Sequence, residues 1–245
     1  MKKMITMLLV LSVLLALAGC RTGKKRTVSE KNNSGTQISV EEKTGTSSRK
    51  TRAKLKEEFE PLQVEKSEWF MNAAGYLEYY IILRNPNQNI AVKYPDYRVT
   101  ARDRDGNVLA SEDGLTLYML YPGRCVTCTG ISFQLDEVPD SVEFQALEPN
   151  EYDLISTKSQ DSYIPLEFTN LNIRERNITG EVKNPNDYKL ERAEIIVLFR
   201  DKDGNLTDIK STEVKDLQAG GNTPFSVSYY SDIDFESIEC FANPW

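Results

Sequence analysis

Two copies of one acidic turn hold the side chains best suited to grip an ion: Asp103-x-Asp105-Gly106-Asn107 and Asp201-x-Asp203-Gly204-Asn205. Closely spaced carboxylates on a turn sharpened by glycine suit a hard cation such as calcium. The same letters specify a β-hairpin turn, in which glycine takes positive φ and the Asp side chains accept hydrogen bonds from local amides. An EF-hand loop needs further oxygen ligands and a distal Glu, and neither copy has them at the required spacing. The turn reading is therefore preferred. Asp103, Asp105, Asp201 and Asp203 stay as the metal-ligand candidates, and calcium is not expected.

Cys125-Val126-Thr127-Cys128 has the spacing of a zinc or redox pair. It lacks the second pair or histidine that zinc needs, and the helix on which a thioredoxin-like thiol sits. On a strand, positions i and i+3 face opposite sides and bridge poorly. Histidine is absent from the whole chain, which removes every Ser-His or Cys-His nucleophile and the commonest general base. No catalytic residue is assigned, and the protein is expected not to be an enzyme. The competing enzymatic reading is a carboxylate-dependent hydrolase, since acidic residues are plentiful although no motif singles out a pair. Trp69, Tyr94, Tyr97, Tyr118 and Tyr121 are candidates for an exposed aromatic platform that would meet a glycan or a protein. Strands ordinarily contain such rings in their cores as well.

These side chains must be carried by what lies around them, and the chain opens on an export signal. A basic Met1-Lys2-Lys3 start and an apolar run from Ile5 to Ala18 lead into Leu17-Ala18-Gly19-Cys20, which resembles a bacterial lipobox. The run is short for a membrane span and has signal-peptide flanks. The resemblance implies a signal peptide over 1–19, cleavage before Cys20 and a diacylglycerol thioether on its sulfur. That lipid is the one expected cofactor-like group, and it would anchor the chain on the extracytoplasmic face of the cell membrane. Residues 21–57 carry eleven Lys or Arg against four Glu and few large aliphatics. Such a segment cannot bury enough apolar surface to offset ordering, so 20–57 reads as a disordered basic tether suited to an anionic lipid surface. A short helix near its end, at Lys54 to Phe59, is the alternative.

Beyond the tether the balance inverts, with seventeen basic residues against thirty-three acidic ones over 58–245. Nucleic acid, whose phosphates demand a basic footprint, is excluded as a partner. Past Cys20 only Cys125, Cys128 and Cys240 remain, an odd number that cannot form a complete disulfide framework.

An internal repeat decides the architecture. Arg84-Asn85-Pro86-Asn87 corresponds to Lys183-Asn184-Pro185-Asn186, the stretch Val99 to Asn107 to Val197 to Asn205, Pro122-Gly123 to Ala219-Gly220, and Ser141 to Phe144 to Ser237 to Cys240. Each copy reads as six or seven short strands separated by turn signals, with Phe225, Val227 and Tyr229 on one face of a closing strand. The expected fold is all-β: two tandem Ig-like antiparallel sandwiches over 59–147 and 164–245, joined by a linker over 148–163.

Gly180-x-Val182-x-Asn184, Asp201-x-Asp203-Gly204, Leu217-x-x-Gly220 and Phe225-x-Val227 together resemble the FxLYD domain. The namesake motif stands here as Val197-Leu198-Phe199-Arg200-Asp201, so the aspartate and its turn are what match. The resemblance implies an Ig-like fold and a surface setting, and it brings no catalytic residues. The expectation for function is a lipid-anchored extracytoplasmic protein that presents two modules for binding an envelope protein or glycan. A mechanical spacer without a ligand is the remaining alternative.

Overall fold

The computed structural model describes residues 44–157, 163–230 and 234–244. Cys20 and the expected signal peptide lie outside these residues, as do 20–43 of the expected tether. Among the described residues a single helix precedes fifteen strands: α1 (Thr44–Glu58), β1 (Gln63–Met71), β2 (Tyr76–Arg84), β3 (Ile90–Lys93), β4 (Asp96–Arg102), β5 (Val108–Leu115), β6 (Met119–Leu120), β7 (Cys125–Gln134), β8 (Ser141–Ala146), β9 (Leu154–Ser156), β10 (Glu167–Arg174), β11 (Asn177–Lys183), β12 (Leu190–Arg200), β13 (Leu206–Leu217), β14 (Asn222–Ser228) and β15 (Ser237–Pro244). The fold is all-β and antiparallel.

The repeat holds strand for strand. In the first module the sheets run β1-β2-β7 and β5-β4-β8; in the second they run β10-β11-β14 and β13-β12-β15. Register repeats too, since Val99 pairs with Phe144 and Val197 pairs with Cys240. The first module adds a small sheet, β6-β3-β9. Its strand β9 is drawn from the stretch expected to be linker.

Alternation along β2 explains how these sheets stack. Leu77, Tyr79, Ile81 and Leu83 enter the first module's core with Tyr97 and Val99 of β4, while Tyr80 turns the other way. There it meets Ile196, Leu198 and Leu206 of the second module, with Phe70, Ile82, Ile209 and Phe241 packed around them. The odd residues of β12, Ile195, Val197 and Phe199, fill the second module's own core with Ile178, Val182, Phe225 and Val227. Four sheets therefore lie in series, and the middle two belong to different modules. Residues 43–245 form one compact unit with three apolar cores.

Close approach inside the first module depends on a missing side chain. Tyr79 pairs directly with Gly130, and a Cβ at Gly130 would fall within the tyrosine ring. The freed space lets Tyr79 reach Tyr97 edge-on at 6.0 Å between centroids, with their hydroxyls 3.1 Å apart in the dry core.

Helix α1 corrects the expected tether over 44–57. Leu55 and Phe59, one turn apart, pack on the first core. Lys56 donates to the Pro149 carbonyl at 3.1 Å and pairs with Glu148, and Arg52 lies 4.7 Å over the Tyr152 ring. Two apolar residues in a basic stretch are too few to flag from composition, but i,i+4 spacing puts both on one face. Among the described residues, no helix is long and apolar enough to cross a membrane.

Candidate functional site

The twin acidic turns are built alike. Asp103 accepts from the Asn107 backbone N–H and side-chain amide, both at 2.8 Å. Asp201 does the same with Asn205 at 2.9 and 3.0 Å, and also accepts from the Asp203 N–H. The asparagine side-chain amide holds each exposed carboxyl below its usual range, reinforced by local backbone N–H groups. Gly106 and Gly204 sit at φ 84° and 83°, as the hairpin reading requires. Arg102 and Arg200 donate to the Gly106 and Gly204 carbonyls, which braces each turn. Among the described residues no cluster of three metal-ligating side chains occurs.

Replacing Gly204 with valine should cost about 1–2 kcal/mol even in chelator, because a branched residue is strained at positive φ. A Cβ at that position meets no neighbour, so the loss is purely conformational. Asp201→Asn should leave the melting temperature unmoved by millimolar calcium. Thermal unfolding with and without calcium checks both, and a calcium-dependent rise lost in the Asp201 variant would reverse the assignment.

Cys125 is exposed and Cys128 buried, the opposed orientation that i,i+3 on a strand dictates. Partial desolvation of its sulfur, then the hydrogen bond to Glu65, push the Cys125 thiol up to about 11 although the residue is exposed; burial alone raises Cys128 and takes Cys240 to about 11. Such thiols are poor nucleophiles at neutral pH. Cys240 packs against the second core, in the register position that Phe144 holds in the first module.

The five aromatic candidates do not assemble into one solvent-facing strip. Tyr97 is buried in the first core and Trp69 packs against it, because their strand positions alternate inward. Tyr94 alone of the five is well exposed, at 49%. Tyr118 and Tyr121 go to the junction between modules. Tyr121 stacks on Tyr163 at 4.9 Å, and Tyr118 donates its hydroxyl to Glu194 of β12.

Polar chemistry concentrates at that junction. Arg200 is 7% exposed and forks onto Glu68 of the first module at 2.7 and 3.0 Å. It also bonds Glu239 at 3.0 and 3.3 Å and the Tyr80 hydroxyl at 3.1 Å. Burial alone would raise the Glu68 carboxyl, but hydrogen bonds from Arg200, Tyr80 and Lys66 outweigh it and hold it at about 2. Nearby, Asn243 of β15 satisfies both the N–H and the C=O of Thr127 on the edge of β7.

Toward the other end of β12 from Arg200 lies a cleft of about 360 Å³ lined by residues of both modules, among them Tyr97, Thr116, Leu117, Tyr118, Glu194 and Glu213. Burial raises the Glu194 carboxyl, the Ser211 hydroxyl pulls it back, and Glu213 adds to the rise. The Thr116 hydroxyl is buried and has no hydrogen-bond partner among the described residues.

No protein-family model matches this chain, and no curated protein does. Among solved structures, the crystal structure of red sea bream transglutaminase is similar with a TM-score of 0.19 and 9% identity, over 83% of this chain and 32% of that one. The chain thus spans about a third of that protein's length, and a likeness at this level carries no argument.

Sequence reading missed Glu68, Tyr80, Thr116, Glu194, Arg200 and Asn243 as junction residues. One signal was available. The unbroken apolar run Ile195 to Phe199 exceeds what a strand with one wet face needs, and continuous runs mark strands covered on both sides.

Proposed function

We propose that this protein is a lipid-anchored binding module of a bacterial cell envelope, non-catalytic, and held as one stiff two-module body. The observation that carries this reading is the third apolar core with its Arg200 lock. Modules joined by a free linker would present separate faces; these share a buried face and enclose a cleft of fixed shape between them. The lipobox at Leu17 to Cys20 supports the anchor, and the repeat with its FxLYD resemblance supports a surface setting. An acidic body on a basic N-terminal segment suits display away from an anionic membrane. The ligand is placed among envelope proteins and glycans, and nucleic acid is not among its partners.

Cys20→Ser should abolish lipidation, because the acyl donor needs the thiol. The protein should then appear as unanchored or uncleaved chain, read by detergent phase partition and by mass of the N-terminal peptide. A Ser variant that still partitions as a mature lipid-bearing protein would remove the anchoring half of the proposal.

A further inference from the structure

Glu194 and Glu213 stand directly opposite each other on paired strands, an arrangement that like charges make costly. Glu213 is relieved by Lys215 at 2.8 Å and Arg192 at 3.5 Å. Glu194, the more deeply placed of the two, meets only hydroxyl groups, those of Tyr118 and Ser211; among the described residues it forms no ion pair. A desolvated carboxylate left without a cation is expensive, so a fold that retains one either keeps it protonated or reserves it for a positive guest.

Three features of the cleft choose between those outcomes. Its volume of about 360 Å³ lies at the small end of the range for organic ligands and far exceeds a bare ion. The Thr116 residue is 4% exposed and its unpartnered hydroxyl is a second acceptor among the residues that line the cleft, contributed by the other module. Opposite the acids the lining is hydrocarbon and ring: Tyr97, Leu115, Leu117 and Tyr118, with Leu115 and Leu117 exposed at 68% and 51%. A metal ion would find two carboxylates, one of them already paired with Lys215 and Arg192, and among the described residues no group of three metal-ligating side chains. An ammonium brings three donors, which fit a carboxylate and a hydroxyl, and aromatic rings favour a cation beside them.

We infer that the junction cleft is a binding site for a small organic ammonium ion bearing an apolar group, with Glu194 as its counter-ion. This goes beyond the protein-or-glycan reading by naming a small cationic ligand, and it rests on the two modules forming one body. The ammonium sits against Glu194 and Thr116, and the apolar group lies against Leu117 and the tyrosines. Neither module alone has the site: Tyr118 and Thr116 come from the first, Glu194 and Ser211 from the second.

Calorimetric titration of the intact protein with phenethylammonium chloride tests this, with phenethyl alcohol as the neutral match. Saturable one-to-one binding of the amine is expected, at least tenfold tighter than the alcohol. Glu194→Gln should weaken the amine at least tenfold while melting no lower than the parent, because it removes a like-charge pair. Thr116→Val provides a second, milder variant with a several-fold loss. Equal binding of amine and alcohol, or amine binding indifferent to Glu194→Gln, overturns the assignment. Hydrogen exchange of the Thr127 amide, which Asn243 of the second module protects, separates the two levels of the argument. No amine binding with a slow Thr127 amide sinks the site alone; no binding with a fast one sinks the single-body reading as well.

Discussion

Asn184→Ala is expected to destabilise the protein by about 3 kcal/mol or more, through buried backbone groups left without partners. Asn184 is fully buried. Its amide donates to the Tyr188 carbonyl at 2.8 Å and the Leu217 carbonyl at 3.1 Å, and its oxygen accepts the N–H and side-chain amide of Asn186. Asn186 in turn clasps both backbone groups of Ile164, where the chain enters the module. Alanine empties the centre of this clasp. In a body of this size each kcal/mol is roughly 2–4 °C of melting temperature, so calorimetry should show a large drop. Asn85→Ala should behave alike, since Asn85 donates to Ile90 and Leu120 and holds Asn87, which clasps Glu60. A change under about 1 kcal/mol in either variant would mean that water replaces the side chain.

Arg200→Met should cost about 1–3 kcal/mol at neutral pH, below the scale for a fully buried ion pair because the side chains of Glu68 and Glu239 are 29% and 41% exposed. Methionine preserves apolar bulk but strands Glu68 and Glu239. The effect has a defined pH dependence. Glu68 is held at about 2 against an ordinary 4.5, so the native state resists its protonation. The stability this contributes is complete above about pH 5 and is lost as pH falls toward 2. Parent and Arg200→Met should therefore converge as the solution is acidified across that window, which equilibrium denaturation at several pH values would show. Curves that stay parallel throughout that window would mean that the ion pair contributes nothing beyond packing.

The two modules differ in legibility from their junction for a physical reason. Turn chemistry and strand alternation are local, so Asp-Gly, Asn-Pro-Asn and the period-two pattern specified the hairpins, the register and the inward position of Phe225 and Val227. The role of a residue at the junction depends on which outer face meets which. Arg102 and Arg200 stand at equivalent places and both reach the glycine carbonyl of their turn, yet Arg102 goes on to the exposed Glu143 while Arg200 goes to Glu68 across the interface. The turn residues do not separate them; only the outward position before the arginine does, polar at Thr100 and apolar at Leu198. The aromatic candidates are scattered for the same cause: Tyr97 points into the first core, Tyr118 and Tyr121 go to the junction, and Tyr94 is exposed.

That shared face imposes an order on biogenesis. The first module leaves the ribosome before the second, and until β12, β13 and β15 arrive, Phe70, Tyr80 and Ile82 lack the partners that cover them in the finished fold. A half-made chain therefore carries a sticky surface together with the Glu68 carboxylate, still without its arginine. Lys66 of the same strand already pairs with that carboxylate, and Arg200 completes its shell only when the second module is made.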